Sequence, residues 1–152
     1  MAKRHESLVL FVVLVVGIGW VIGATNLPGG WYAALSKPSF NPPNWIFAPT
    51  WTVLYVLIAV AGWRTYLQGE TTALPMQLWL AQMVLNFLWS PFFFGLHRIT
   101  IALAIIFGLL AVVCGFIWVQ WRENRPAALL FVPYAVWVAF ASLLNYAIYR
   151  LN

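Results

Sequence analysis

Residues 45–63 read WIFAPTWTVLYVLIAVAGW, and no charged side chain interrupts them. A helix rises about 1.5 Å per residue, so this stretch is long enough to cross a hydrocarbon core of roughly 30 Å. Its residues do not alternate between polar and apolar, as the strands of a membrane β-barrel do. The stretch therefore predicts a membrane-spanning helix.

Four more apolar runs lie on either side of this stretch. With it, the predicted spans cover about residues 8–27, 45–65, 74–96, 99–120 and 127–149. The chain of 152 residues is 64% hydrophobic and only 7% charged, whereas soluble domains are about a quarter charged. We therefore predict an all-α fold: one integral membrane domain over residues 1–152, a multi-pass bundle of five transmembrane helices.

The net charge of +5 comes from basic residues scattered over the termini and turns. In a membrane protein such residues contact lipid headgroups and set the topology, so we predict the lipid bilayer, and no nucleic acid, as a partner. Five lie on the N-terminal side of the membrane and three on the other side, which favours a cytoplasmic N-terminus. The two sets are Lys3, Arg4, Arg64, Arg122 and Arg125, and then Lys37, Arg98 and Arg150.

Residues that could carry acid–base or metal chemistry are few. The three acids, Glu6, Glu70 and Glu123, all fall on the N-terminal side, and no two of them pair within a predicted pocket. Cys114 stands alone within a span, where a small buried hydrophobe is the expected role. His97 lies in a two-residue turn, where a solvated histidine is favoured over a haem ligand. We predict no metal site and no required cofactor.

The connection between the first two spans is the longest. It reads PGGWYAALSKPSFNPPN over residues 28–44, and it is too aromatic for a solvated linker. Prolines at positions 38, 42, 43 and 49 fix the backbone and remove donors, so the segment can hold an extended shape. We predict a structured loop that caps one end of the bundle, with one or two helical turns in WYAALS.

Aromatic and amide side chains recur at helical spacing on three spans. The stripes are Gln82, Asn86, Trp89 and Phe93; Tyr134, Trp137, Ala141 and Asn145; and Trp51 with Tyr55. The amides should face the bundle interior, because lipid would leave them unsatisfied. Hydrogen bonds that only hold the bundle together are one interpretation. The second interpretation is a small-molecule pocket, and it is favoured because aromatic residues lie inside the spans beneath a cap.

Two short patterns have weaker implications. Gly19 and Gly23 form a GxxxG pair, which predicts close helix packing inside the bundle or between subunits. LNYAIYR, residues 144–150, fits a sterol-contact pattern through Leu144, Tyr146 and Arg150. An interfacial tyrosine followed by a terminal arginine would also arise without any sterol.

Three segments together resemble one known family. They are WYAALSKPSFNPPNWIF followed by Trp51, QMVLNFLWSPFFFGLHR, and FVPYAVWVAFASLLNY. In spacing, order and five-span layout the chain resembles the translocator protein family (TspO/MBR), also called tryptophan-rich sensory proteins or peripheral-type benzodiazepine receptors, and within it a bacterial-type member. One departure is Phe40, because the family usually has tryptophan there.

The resemblance implies a clockwise five-helix bundle that forms homodimers in the bacterial cell envelope. It also implies a pocket for porphyrins, such as protoporphyrin IX or haem, and for benzodiazepine-receptor ligands, with a role in tetrapyrrole sensing, transport or scavenging. With Tyr55 added from its stripe, the predicted ligand-binding residues are Tyr32, Pro42, Trp51, Tyr55, Asn86, Trp89, Phe93, Trp137 and Ala141.

Two other functions stay open. The resemblance also implies light-dependent porphyrin breakdown, in which Trp51 and Trp137 would be the catalytic residues. The chain is otherwise expected not to be an enzyme. A regulatory or structural membrane partner, whose aromatic residues only pack the bundle, is the remaining alternative.

Overall fold

The computed structural model describes residues 2–69 and 73–152, and every regular element in these residues is helical. Five long helices are joined by short connections and one short helix: α1 (Ala2–Thr25), α2 (Gly30–Ala34), α3 (Phe47–Tyr66), α4 (Leu74–Ser90), α5 (Ile99–Glu123) and α6 (Arg125–Leu151). The five long ones have the length and apolar composition needed to cross a membrane. The predicted all-α fold with five membrane-spanning helices is confirmed. Glu70 lies outside the described residues.

Helix ends differ from the predicted spans where polar residues continue a helix. α1 begins at Ala2 and ends at Thr25, so its first turns carry charged residues that the predicted span of 8–27 left out. A hydropathy pattern marks only the part of a helix inside hydrocarbon, and a helix can extend beyond it into the headgroup layer. At the other end of the bundle, one 3₁₀ turn, Asn44–Ile46, leads into α3.

Pro91 changes the end of α4. Residues Pro91–Gly95 form one π-helical turn, in which the Leu96 N–H donates to the Pro91 carbonyl at 2.8 Å. Proline has no N–H with which to continue the α-helical ladder, and a π turn accommodates the break. His97 follows with φ of 57°, a left-handed conformation that ends the helix. Pro133, in contrast, lies inside the continuous helix α6.

Around the bundle the long helices follow the order α1, α3, α6, α5 and α4, with α4 packing back on α1 and α3. The core contains the fully buried side chains Ile58, Val113, Phe116, Phe131 and Val138. Many large apolar side chains on the outer faces are exposed, as expected of helices that contact lipid. Cys114 is among the exposed residues, so the expectation that it is buried was wrong. A helix hydrophobic all round gives no signal for which face is buried.

Two glycines allow helices to approach closely. A β-carbon at Gly19 of α1 would clash with the ring of Tyr55 on α3, and one at Gly62 of α3 would clash with the indole of Trp79 on α4. Gly23, by contrast, has open space around its β-carbon position. Only Gly19 of the GxxxG pair is therefore packed within the bundle.

The predicted cap forms over the ends of α4 and α6. Its helix α2 places Trp31 parallel to the ring of His97, with ring centroids 4.1 Å apart. The Ser36 N–H donates to Asn152 Oδ1 at 3.1 Å, and Asn152 Nδ2 donates to the Ser36 carbonyl at 2.9 Å. These two contacts, a ring stack and a pair of hydrogen bonds, both attach the cap to the bundle.

Candidate functional site

Tyr134 joins two helices in the interior of the bundle. It is fully buried on α6, and its hydroxyl accepts a hydrogen bond from Asn86 Nδ2 at 2.6 Å and donates one to Gln82 Oε1 at 2.8 Å. Gln82 and Asn86 lie one helical turn apart on α4. The prediction that these amides face the interior is confirmed. Tyr134 itself was recognised in its stripe but not as a site residue.

Aromatic rings surround this hydrogen-bond chain. The Trp51 ring is in edge contact with Tyr134 and stacks on Tyr55, with centroid distances of 6.4 Å and 5.5 Å. Trp51 and Trp137 are perpendicular, with centroids 6.5 Å apart. Phe47 and Phe140 also contact the Trp137 ring. Together, Trp51, Tyr55, Gln82, Asn86, Tyr134 and Trp137 form what we call the indole cluster.

Two donors of the indole cluster are buried without an acceptor. They are Nε1 of Trp137 and Nε2 of Gln82. An unpaired buried donor costs about 1–3 kcal/mol, so it calls for a partner such as a ligand or an ordered water. The other end of the Gln82 amide, Oε1, accepts from the Tyr134 hydroxyl, and the Trp137 ring contacts Trp51, so both unpaired donors belong to side chains within the same cluster. A molecule with hydrogen-bond acceptors would satisfy them.

A second aromatic cluster lies where the cap meets α4. Trp89 stacks on Phe93 with ring centroids 5.1 Å apart, and Trp89 Nε1 donates to Asn145 Oδ1 at 3.0 Å. Phe93 in turn makes edge contact with Tyr32 of the cap at 6.2 Å. We call Tyr32, Trp89, Phe93 and Asn145 the cap cluster. Asn145 is buried, but its amide is used in holding α6 to Trp89 and to the Ile99 carbonyl.

The cap contributes polar contacts around Tyr32. The Tyr32 hydroxyl donates to Asn41 Oδ1 at 3.3 Å, and Asn41 Nδ2 donates to the carbonyl of the half-buried Pro42. The Lys37 ammonium lies 4.8 Å from the centre of the Tyr32 ring. Burial raises the pKa of Tyr32, and the hydrogen bond with Asn41 opposes that shift in part.

Seven of the nine predicted ligand-binding residues fall into two adjoining groups. Trp51, Tyr55, Asn86 and Trp137 belong to the indole cluster, whereas Tyr32, Trp89 and Phe93 belong to the cap cluster. Ala141 is buried in the main core one turn beyond Trp137 on α6. Phe40 of the cap contacts Phe140 with a centroid distance of 6.3 Å, so the cap reaches the indole cluster as well.

The residues of the sterol-contact pattern lie on different faces of α6. Leu144 is buried in the protein, while Tyr146 and Arg150 are exposed one turn apart. His97, weighed as a haem ligand, is stacked against Trp31. Within the described residues, no three His, Cys, Asp or Glu side chains are close enough to hold a metal ion.

A polar network at the opposite end of the bundle was missed from the sequence. Gln120 is fully buried on α5, and its Nε2 donates to Thr65 Oγ1 at 2.9 Å and to Gln68 Oε1 at 2.8 Å. Asn124 also donates to Gln68 and to the Arg64 carbonyl. The available signal was a glutamine at the polar end of an apolar run, which usually faces protein and not lipid.

Comparison with known proteins finds one matching family and several relatives of similar length. The sequence profile of the TspO/MBR family matches residues 9–150. The chain is 37% identical to Protein CrtK of Rhodobacter capsulatus over 151 residues, which covers 96% of this chain and 94% of the relative. It is 37% identical to the tryptophan-rich sensory protein of Cereibacter sphaeroides over 147 residues, covering 96% and 92%. It is 34% identical to the translocator protein of Homo sapiens over 150 residues, covering 91% and 86%.

Proposed function

The chain belongs to the TspO/MBR family, and from this premise we propose that it binds porphyrins and related tetrapyrroles in the indole cluster beneath the cap. It is an integral membrane protein with five spanning helices. The proposed role is tetrapyrrole sensing, transport or scavenging in a bacterial cell envelope. The same site would accept ligands of the benzodiazepine-receptor type, with no further cofactor required.

The observation that carries the proposal is that two indoles, Trp51 and Trp137, lie together with two buried donors that have no acceptor. A planar macrocycle that stacks on the face of one of the perpendicular rings, Trp51 or Trp137, would meet the edge of the other. Trp137 Nε1 and Gln82 Nε2 offer donors to its polar substituents. A small number of polar groups within an apolar, aromatic site is typical of small-molecule binding.

The experiment is a saturation titration of the purified protein with protoporphyrin IX, followed by tryptophan fluorescence. We expect saturable quenching, and weaker binding after Trp51→Phe with Trp137→Phe. The matched control is Trp45→Phe with Trp118→Phe, which removes two indoles that are 73% and 83% exposed. Binding unchanged in the first variant would overturn the site. The absence of any saturable ligand would favour the alternative of a structural or regulatory membrane partner.

Light-dependent breakdown of a bound porphyrin stays a prediction from the family resemblance. Trp51 and Trp137 are in contact, so an indole that reacts with an excited porphyrin would have a second indole beside it. The test is to illuminate the complex in the presence of dioxygen and follow the porphyrin absorbance. If the porphyrin absorbance decays no faster than in detergent without protein, the protein does not have this activity.

We also propose that two copies associate in the membrane, as the resemblance implies. The test is the mass of the protein in its detergent micelle, measured by light scattering at several protein concentrations. A monomer at all concentrations would contradict a stable homodimer.

A further inference from the structure

A groove lies outside both aromatic clusters, at the cap end of the bundle. Its volume is about 690 Å³, and it lies between the start of α5 and the end of α6. Residues 97–101 line one side, and Tyr149, Arg150 and Asn152 line the other. It shares no residue with the indole cluster or the cap cluster, so it is a separate site from the proposed tetrapyrrole site.

Two guanidinium groups give the groove its charge. Arg98 and Arg150 both line it, and neither has an ion pair with a carboxylate or a side-chain hydrogen bond among the described residues. The side-chain carboxylates that the structure describes, Glu6 and Glu123, lie in the first turns of α1 and at the last residue of α5. Those positions are at the other end of the bundle. The groove therefore attracts anions, and no acidic side chain of the described residues competes for them.

The backbone at the start of α5 adds to this attraction. No side chain caps the helix, while the Ala102 N–H already bonds the Arg98 carbonyl. The remaining N–H groups of the first turn have no partner within the helix, and the positive end of the helix dipole lies with them beside the groove. Backbone N–H groups beside arginine are typical partners of phosphate oxygens. The hydroxyl of Thr100 is a further donor in the same lining.

The apolar part of the lining distinguishes a lipid from a soluble anion. Ile101 and Tyr149 line the groove and are 43% and 44% exposed. They stand on spanning helices, so their exposed surfaces face the membrane boundary and can contact acyl chains or glycerol. A tyrosine at such a boundary presents both an apolar ring and a polar hydroxyl. An amphiphile with an anionic head fits both parts of the groove.

We propose that this groove is a binding site for the phosphate headgroup of an acidic phospholipid. Arg98 and Arg150 would hold the phosphate between them, and the first turn of α5 would donate to its oxygens. Two residues that line the groove also contact the cap: His97 stacks on Trp31, and Asn152 bonds Ser36. A lipid bound here would lie directly against those contacts.

The experiment uses native mass spectrometry of the full chain released from detergent with added phosphatidylglycerol or phosphatidylcholine. We expect the wild type to retain phosphatidylglycerol preferentially. In Arg98→Gln with Arg150→Gln, the affinity for phosphatidylglycerol should fall on the order of tenfold or more, because two charge-assisted contacts are lost. Arg122→Gln with Arg125→Gln removes the same charge at the opposite end of the bundle and should behave as the wild type.

Three outcomes would overturn the proposal. If the wild type shows no preference for phosphatidylglycerol over phosphatidylcholine, the proposed site does not exist, whatever the variants show. Equal loss in both double variants would mean that overall charge, and not the groove, attracts the lipid. Displacement of bound phosphatidylglycerol by an equal concentration of inorganic phosphate would show that the anion alone is recognised, with no contribution from the rest of the lipid. Thermal unfolding of both variants in neutral lipid establishes that they remain folded.

Discussion

The hydroxyl of Tyr134 on α6 lies 2.6 Å from Nδ2 of Asn86 on α4 and accepts a hydrogen bond from it. The same hydroxyl donates to Gln82 Oε1. α4 and α6 are not neighbours in the ring of helices, since α5 lies between them. This chain of hydrogen bonds therefore crosses the interior of the bundle, directly beside the ring of Trp51.

Tyr134→Phe should destabilise the protein by on the order of 1 kcal/mol or somewhat more. The substitution keeps the ring but leaves Asn86 Nδ2 and Gln82 Oε1 without their partner in a buried site. Tyr146→Phe is the control, because Tyr146 is exposed and its hydroxyl has no hydrogen bond within the described residues. Thermal unfolding in detergent measures both. Equal midpoints would mean that the buried chain adds nothing to stability.

Gly19→Ala should loosen the contact between α1 and α3, whereas Gly23→Ala should not. The new β-carbon at position 19 would overlap the Tyr55 ring, but the one at position 23 meets nothing within 4 Å. Overpacking of this kind costs about 1–3 kcal/mol. The unfolding midpoint and the near-ultraviolet circular dichroism of the two variants make the comparison. A larger loss from Gly23→Ala would point to a contact between subunits at that glycine.

Asn152→Ala should open the cap more often. It removes both hydrogen bonds between the Asn152 side chain and Ser36. Because exposed hydrogen bonds contribute about 1 kcal/mol or less in total, we expect roughly fivefold faster hydrogen exchange at the Ser36 amide. Asn44→Ala is the matched control, since its exposed side chain makes no hydrogen bond among the described residues. Unchanged exchange would mean that the ring contacts of the cap, such as the stack of Trp31 on His97, hold it closed without Asn152.

How much of the site follows from the sequence depends on the kind of residue. Gln82 and Asn86 could be placed in the interior, because lipid provides no hydrogen-bond partner for an amide. Helical spacing put Trp137 and Ala141 on the same stripe as the amide of Asn145, and it put Trp51 and Tyr55 together on a stripe of their own. The partner of each amide could not be predicted, since spacing along one helix does not say which residue of another helix it meets.

The division of the site residues into two clusters could not be predicted from the sequence either. Trp51 and Trp89 both lie near the capped ends of their predicted spans, 45–65 and 74–96, yet they contact different neighbours. Depth along a helix follows from residue number, but rotation about its axis follows from packing. The groove beside Arg98 and Arg150 depends on the relative position of two helix ends, which loop sequence does not determine. Asn152 gave no signal at all, because a terminal asparagine is usually solvated.

Tyr32 should ionise at higher pH than an ordinary tyrosine, whose pKa is about 10. Burial raises its pKa by disfavouring the phenolate. Stability from this group is complete below about pH 10, where the unfolded chain keeps its proton, and is lost as the pH rises toward the folded value. The ultraviolet difference titration between the wild type and Tyr32→Phe isolates this residue. A midpoint at or below the ordinary value would contradict a buried Tyr32.

Trp51→Phe and Trp137→Phe should differ in their effects on protein stability and on porphyrin affinity. Both remove similar apolar area, but only Trp137 carries an N–H that is buried without an acceptor. In the free protein, Trp137→Phe also removes an unsatisfied buried donor, and the free energy gained in this way offsets part of the free energy lost with the packing. The unfolding midpoint should therefore fall less than with Trp51→Phe. For a porphyrin with acceptor groups, the order should reverse. Binding should weaken roughly fivefold more with Trp137→Phe, which is the effect of about one hydrogen bond.

The two measurements are the unfolding midpoint without ligand and the affinity for protoporphyrin IX of each single variant. Trp118→Phe serves as the control for tryptophan loss as such, because that side chain is 83% exposed. If Trp137→Phe lowers both quantities more than Trp51→Phe does, the Trp137 N–H already has a partner, such as an ordered water, in the free protein. If it lowers the affinity no further, the ligand does not accept from Trp137. A larger loss of affinity together with a smaller loss of stability requires that the unpaired donor is kept for the ligand.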